Sequence, residues 1–357
     1  MAALVRADAP ARRPGLRGSH GGLRPALLDR WQRDFPLVAA PFERIAAVQG
    51  SSEAAVLHEF ARLHGEGSVS RIGAVWGTGA GGAAMLCALA VPAARLVAVA
   101  ALVSAEPGVN HNYEREHDWN LWFVVTGHDG DAVAATADRL DARTGLRALR
   151  LPMHRAYRID LGFDLFGAAA PVVAQAAASR VEPVAEADRP LAALLEAGLP
   201  LVARPYDAWA TALDRPRDAV LATLARWQRE GTVRRYGVIV RHHELGISHN
   251  AMTVFDVPDD RVDTIGAALA RQPGVTLCYR RVRGPGWPYN LYCMVHGRDR
   301  SAVRGVIAGA MAGAGLADHD HAVLFSRCRF KQQGARYFRA ADSQPIAVSA
   351  QACHASE

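Results

Sequence analysis

Two stretches of this chain are one text written twice. "PLVAAPFERIAAVQGSSEAAVLHEFARLHGEGSVSRIGAVW" begins at Pro36, "PLVARPYDAWATALDRPRDAVLATLARWQREGTVRRYGVIV" begins at Pro200, and the two align without a gap. Further along, "EPGVNHNYER" answers "QPGVTLCYRR", and "NLWFVVTG" answers "NLYCMVHG". A repeat of this length constrains the fold more tightly than any local propensity. The chain is a tandem duplication or gene fusion, joined near Val181 to Asp188. Its 357 residues give each copy enough chain for a core of its own.

Within each copy the pattern divides again. A helix ("PALLDRWQRDF"; "PLAALLEAG") precedes a Pro-bounded helix ("PFERIAAVQG"). A Ser-capped helix ("SSEAAVLHEFARLHGEG") and an alternating strand after Gly follow, which is the plan of a winged helix-turn-helix. The remainder reads strand ("AMLCALAV"), helix ("AARLVAVAALVSAE"), strands over 109–115 and 120–126, helix ("DAVAATADRLDARTG"), and a last strand ("LRALRLPMHRAYRI"). That order, βαββαβ, predicts a ferredoxin-like sandwich. The expected fold is therefore α+β: a winged helix-turn-helix over 25–78, a sandwich over 83–180, then the same pair over 188–243 and 248–339. Residues 1–24 and 340–357 read as flexible tails by composition. "GTGAGG", residues 77 to 82, satisfies GxGxxG after a strand, with Glu106 where a ribose-binding acid would lie. The second copy has "RHHELGISHN" there, and Pro92 and Pro258 end the helix such a site needs. The glycines read instead as a flexible linker from wing to sandwich.

Half the residues are apolar, as in a globular protein. The net charge of +6 suits an anionic partner, although the bulk charge does not identify it. Five scattered cysteines without a CxxC pair fit a reducing, cytoplasmic setting. The N-terminus lacks the apolar core of a secretory signal, and no window is apolar for long enough to cross a membrane. Nucleic acid is a poor fit: the first candidate recognition helix has Arg62 as its only Arg or Lys, beside Glu53, Glu59 and Glu66. The second has Arg215, Arg217, Arg226 and Arg229 but little that reads bases.

The residues "HNYEREHDWNLWFV", "YRRVRGPGWPYNLYCMVHG" and "FKQQGARYF" resemble the sirohaem decarboxylases, Lrp/AsnC-like proteins recruited to tetrapyrrole synthesis. The resemblance covers nearly all of residues 25 to 340, in a form that joins two subunits into one chain. It implies removal of CO2 from the two acetate side chains on rings C and D of sirohaem. The product would be 12,18-didecarboxysirohaem, on the way to haem d1 in denitrifying bacteria. The alternative is a DNA-binding regulator of the Lrp/AsnC type. The resemblance also implies no organic cofactor, since the iron arrives with the substrate, and either a homodimer or association with related decarboxylase subunits.

The residues suit that chemistry independently. A macrocycle ringed by carboxylates calls for aromatic walls and Arg forks. Residues two apart on a strand share a face, so His111, Tyr113 and Arg115 point together, as do Tyr279, Arg281 and Arg283. His117 shares the parity if the strand runs that far. Proton transfer to the ring and then to the methylene left by CO2 calls for a group titrating near neutrality. His111 and His117 are the candidates for general acid or axial ligand to the substrate iron, and their roles are not distinguished at this level. Arg115 and Tyr113 would orient the reacting carboxylate. Arg281, Arg283, Tyr279, Trp119, Trp287 and Arg235 would hold the rest of the substrate. Each has a plainer reading: either His could pair with Glu114, Glu116 or Asp118, and the tryptophans could be sandwich core.

Overall fold

The repeated text folds into a repeated element order in the computed structural model, which describes residues 22–159, 180–241 and 245–339. The first half runs α1 (Leu23–Asp29), α2 (Pro41–Gln49), α3 (Glu53–Gly65), β1 (Val69–Trp76), β2 (Ala83–Leu89), α4 (Leu96–Ala105), β3 (Val109–Arg115), β4 (Leu121–Gly127), α5 (Gly130–Thr144) and β5 (Leu149–Ile159). The second runs α6 (Arg189–Ala197), α7 (Pro205–Leu213), α8 (Arg217–Glu230), β6 (Val233–Val240), β7 (His249–Phe255), α9 (Val262–Ala270), β8 (Val275–Arg281), β9 (Leu291–Gly297), α10 (Arg300–Ala314) and β10 (His321–Gln332). Most of the two stretches expected to be tails lie outside the described residues. Leu23 and Arg24, counted with the first of them, instead open α1.

Local signals set these boundaries in duplicate. Pro41 and Pro205 occupy the first turn of α2 and α7, where no amide is needed. Asp129 and Asp299 cap α5 and α10 by accepting from Ala132 N at 2.8 Å and Ala302 N at 2.7 Å. The helices of both halves then share one core, in which Phe35, Phe42 and Phe60 pack with Tyr206, Trp209 and Trp227.

The strand expected after each Gly forms, but it pairs outside its own copy. Each wing is a single strand, and β1 pairs antiparallel with β6 of the other half, with Gly73 opposite Gly237. The glycines allow the helical units to lie on this ribbon: a Cβ at Gly237 would sit 2.4 Å from Gln32 O, and one at Gly73 3.1 Å from Leu195 O.

The sandwiches also complete each other. Each half forms a four-stranded antiparallel sheet, and β5–β8 and β10–β3 pairing joins them into a closed eight-stranded barrel. Side chains on the outer face, such as Cys87, Val109 and Phe123, pack under α4 and α5. Their alternating neighbours, including Leu86, Trp122, Leu151 and Met252, fill part of the interior. Closure removes the exposed edges that each sheet would otherwise present. The "GTGAGG" segment is a packed crossing: Gly77 N donates to Thr232 O at 2.8 Å, while Val181 N and Val184 N donate back to Thr78 O and Ala80 O at 2.9 and 2.6 Å. It forms no dinucleotide loop, because the strand before it belongs to an antiparallel ribbon.

Candidate functional site

A register shift between Val109 and His111 sets the face that the rest of β3 presents. Asn112 turns outward, where its Nδ2 donates to Ala100 O at 3.0 Å and Ser104 Oγ at 2.9 Å on α4. His111, Tyr113 and Arg115 therefore face inward. β8 carries the same shift between Val275 and Leu277, which turns Cys278 toward α9 and Leu277, Tyr279 and Arg281 inward. These two rows, the wing ribbon above them and the end of β10 enclose a cavity of about 420 Å³.

Its lining explains what it can hold. Arg71, Arg115, Arg235, Arg241 and Arg281 line it with His111 and His296, and no Asp or Glu is among the described lining residues. Trp122, Tyr279, Tyr292, Met85, Met252 and Met294 supply apolar wall. Arg115 is 6% exposed and crosses to the other half, donating to Leu324 O at 3.0 Å and to Asn250 Oδ1 at 3.4 Å. Arg281 mirrors it, donating to Leu151 O at 2.8 Å. Each guanidinium lies by a tyrosine ring, Arg115 at 5.5 Å from Tyr113 and Arg281 at 5.3 Å from Tyr279. Burial holds both below the usual arginine range, Arg115 at about 10, and pushes the Tyr113 phenol up to about 12. Neutral carbonyl partners leave the positive charges uncompensated. Arg71 Nε and Arg281 Nε, both buried, have no hydrogen-bond partner. Such a chamber favours a polyanion with an apolar body.

Enclosure, reinforced by the Arg115 charge, pushes the His111 imidazole down to about 4. It is neutral at pH 7 and lies 6.3 Å from the Tyr113 ring in a stacked arrangement. Neutral imidazole can bind iron or accept a proton. Anionic groups placed beside it would offset Arg115 and raise its pKa.

Six of the ten residues singled out from sequence, His111, Tyr113, Arg115, Arg235, Tyr279 and Arg281, line this cavity. The other four do not. β3 ends at Arg115, so the parity argument stops short of His117. His117 accepts from Trp119 N through Nδ1 at 3.0 Å and meets Trp287 edge-on at 5.2 Å. Trp287, 2% exposed, donates to Tyr292 Oη at 2.6 Å and packs with Trp122 and Tyr289 in an aromatic plug beyond the cavity. Trp119 packs against the same cluster. Arg283 lies outside the lining and is committed to protein acceptors: Asp256 at 2.6 Å, Asp259 at 2.8 Å, Pro288 O at 2.7 Å and Val257 O at 2.8 Å. These contacts tie the β8–β9 loop to the β7–α9 segment, away from the cavity where a substrate fork was expected.

Sequence reasoning also missed lining residues. His296 follows Tyr292 and Met294 at period two in "NLYCMVHG", a signal that could have revealed it. It approaches Thr276 Oγ1 at 2.9 Å through Nδ1. Arg241, Asn250, Gln333 and Tyr337 come from loops and ends whose proximity only the fold creates.

The comparisons with known proteins agree with this architecture. Residues 80–158 and 244–331 match the family model for an AsnC-like ligand binding domain. Residues 25–69 and 188–234 match the "Siroheme decarboxylase NirDL-like HTH domain". The chain is 44% identical over 310 residues to the "Siroheme decarboxylase NirDL subunit" of Paracoccus denitrificans, covering 87% of this chain and 95% of that one. It is 30% identical to the "Siroheme decarboxylase" of Hydrogenobacter thermophilus, over 86% of this chain and 92% of that one. The "Siroheme decarboxylase NirL subunit" of Stutzerimonas stutzeri is 49% identical and matches 40% of this chain with 85% of its own length, so it corresponds to a single unit. The crystal structure of "the siroheme decarboxylase NirDL" superposes with a TM-score of 0.62 at 27% identity, covering 89% of this chain and 94% of that one. The same protein "in co-complex with iron-uroporphyrin III analogue" gives 0.60, over 87% and 92% of the two chains, again at 27% identity. The sequence therefore belongs to the sirohaem decarboxylase family, as one chain carrying both of its units.

Proposed function

We propose that this protein is a carboxy-lyase that decarboxylates sirohaem, removing CO2 from the acetate side chains of rings C and D to give 12,18-didecarboxysirohaem in haem d1 biosynthesis. The observation that carries this reading is the inter-sheet cavity, whose described lining holds five arginines, two imidazoles and no carboxylate within an aromatic wall. Arg115 and Arg281 would pair with substrate carboxylates as forks held by the opposite half. His111 is the proposed cavity imidazole for proton delivery or iron ligation. His117, with its Nδ1 already engaged, is assigned to the loop that seals the barrel. His296, on the other sheet, is the second imidazole within reach of a large ligand.

The bond changes balance without an added redox partner. Protonating the macrocycle creates an electron sink, the C–COO⁻ bond breaks to release CO2, and a second proton converts the resulting methylene to methyl as the ring gives back the first, a net uptake of one proton per CO2. No organic cofactor is required by this scheme. Association with a second copy or with related subunits is part of the proposal, since several relatives are named as subunits of a sirohaem decarboxylase. A DNA-reading role is disfavoured by the wings, which pair with each other. Anaerobic incubation of the purified protein with sirohaem alone should yield a tetrapyrrole lighter by two CO2, detected by mass. A product lighter by one CO2 would indicate a missing subunit. Unchanged sirohaem together with salt-dependent, sequence-specific DNA binding would overturn the reading.

A further inference from the structure

Beyond β10 the chain does not leave the barrel but straps across the mouth of the cavity. Gln333 N donates to Asn110 O at 2.7 Å and Arg336 N to Thr126 Oγ1 at 3.4 Å. The next three amides converge on one carboxylate: Tyr337 N, Phe338 N and Arg339 N donate to Glu196 at 2.9, 3.2 and 3.3 Å. Glu196 lies on α6, in the second helical unit, and is only 5% exposed. A carboxylate at such depth is unfavourable unless it is fully paired. Here three aligned amides and the field of Arg71 support its charge, against a burial that pushes its carboxyl upward. The repeat places Gln32 at the matching position of the first half, so the charged clasp is built once.

The strap is also cavity wall. Gln333, Gly334, Ala335 and Tyr337 line the chamber beside Arg71. A Cβ at Gly334 would lie 2.6 Å from Arg71 Nη1 and 2.8 Å from Nη2, so the guanidinium rests directly on the strap backbone. Phe338 locks the far side, its ring 4.9 Å from that of Trp76. Glu196 is not among the described lining residues, yet it fixes the segment that supports one of the cavity's arginines.

We infer that Glu196 is a positioning residue for sirohaem: by clasping the strap amides it holds Tyr337 and Gly334 in the wall and presents Arg71 to a substrate carboxylate. This rests on the proposed decarboxylase function. The binding energy comes from Arg71; Glu196 makes that arginine ready before substrate arrives.

The test uses the full chain with sirohaem as probe, measuring binding by visible titration, turnover by mass, and Tm. Glu196→Ala should raise both Kd and KM by roughly tenfold, with kcat changed less than about threefold. Glu196→Asp keeps the charge but shortens its reach, and should raise KM in the same direction. In an Arg71→Ala background, Glu196→Ala should weaken binding little further, since the two act through one contact. Unchanged KM in both Glu196 variants alongside a lowered Tm would overturn the inference, leaving Glu196 a structural tie. Independent, multiplying effects of the Arg71 and Glu196 substitutions would also overturn it. If the parent protein neither binds nor decarboxylates sirohaem, the functional reading itself has failed and this inference falls with it.

Discussion

Replacing Arg115 with Ala while replacing Arg283 with Ala in a parallel variant separates a fork that meets substrate from one that ties a loop. Both arginines sit in the motifs that carry the family resemblance, but their surroundings differ. Arg115 is buried beside the cavity with neutral partners, Leu324 O and Asn250 Oδ1, so its charge is available to an entering carboxylate. A charge-assisted hydrogen bond contributes about 1.5–3 kcal/mol. At about 1.4 kcal/mol per decade, Arg115→Ala should weaken sirohaem binding roughly 10- to 150-fold. Stability should also drop, by about 1–3 kcal/mol, because buried acceptors lose their donor. Arg115→Lys should fall between, retaining charge without the fork. Arg283 has a side chain 34% exposed and ion pairs with Asp256 and Asp259. Each such pair contributes about 0–1 kcal/mol, so Arg283→Ala should lower Tm modestly and leave affinity near the parental value. Anaerobic visible titration with sirohaem, alongside thermal melts, reads both quantities. Equal loss of affinity in the two variants, or parental affinity in Arg115→Ala, would refute the reasoning.

His111→Ala should slow decarboxylation by roughly 10²–10⁴ while sirohaem still binds, and a shifted spectrum of the bound tetrapyrrole would mark lost iron ligation; parental turnover would place the acid elsewhere. The folded protein holds His111 at about 4 against an ordinary 6.5, so its contribution to stability is present above pH 6.5 and is lost as pH falls through about 4. Tm measured across that window should fall less steeply in His111→Gln than in the parent, and identical slopes would count against the buried neutral imidazole. The two halves, cut between residues 160 and 179 and co-expressed, should co-purify, because β1–β6, β3–β10 and β5–β8 all pair across the cut. Separately purified halves that stay monomeric on mixing, as read by light scattering, would contradict this.

The repeat made the α+β plan legible, because helix caps, prolines and period-two strands are local signals that occur twice. Barrel closure was not legible: β3 meets β10 and β5 meets β8 across long stretches of chain, and no local pattern encodes such pairing. The same division holds at the site. His111, Tyr113 and Arg115 could be read as one face because alternation is a property of a single strand. Arg283 looked equivalent by parity, but the carboxylates that occupy it lie between β7 and α9. Glu196 and the amides it binds are separated by most of the second half, so nothing near either one in the chain announces the clasp.

The Gly73–Gly237 contact, where the wings cross, marks the axis relating the two halves. In a pair of identical chains, every mutation near that axis arrives twice, and the enclosed space must keep its twofold symmetry. Joining the copies into one gene lifts this restriction. Across the axis His111 corresponds to Leu277 and His296 to Thr126, each differing on one wall alone, and behind the wall Glu196 corresponds to Gln32. A chamber free to evolve one wall at a time can be fitted to a guest whose own outline has no twofold axis.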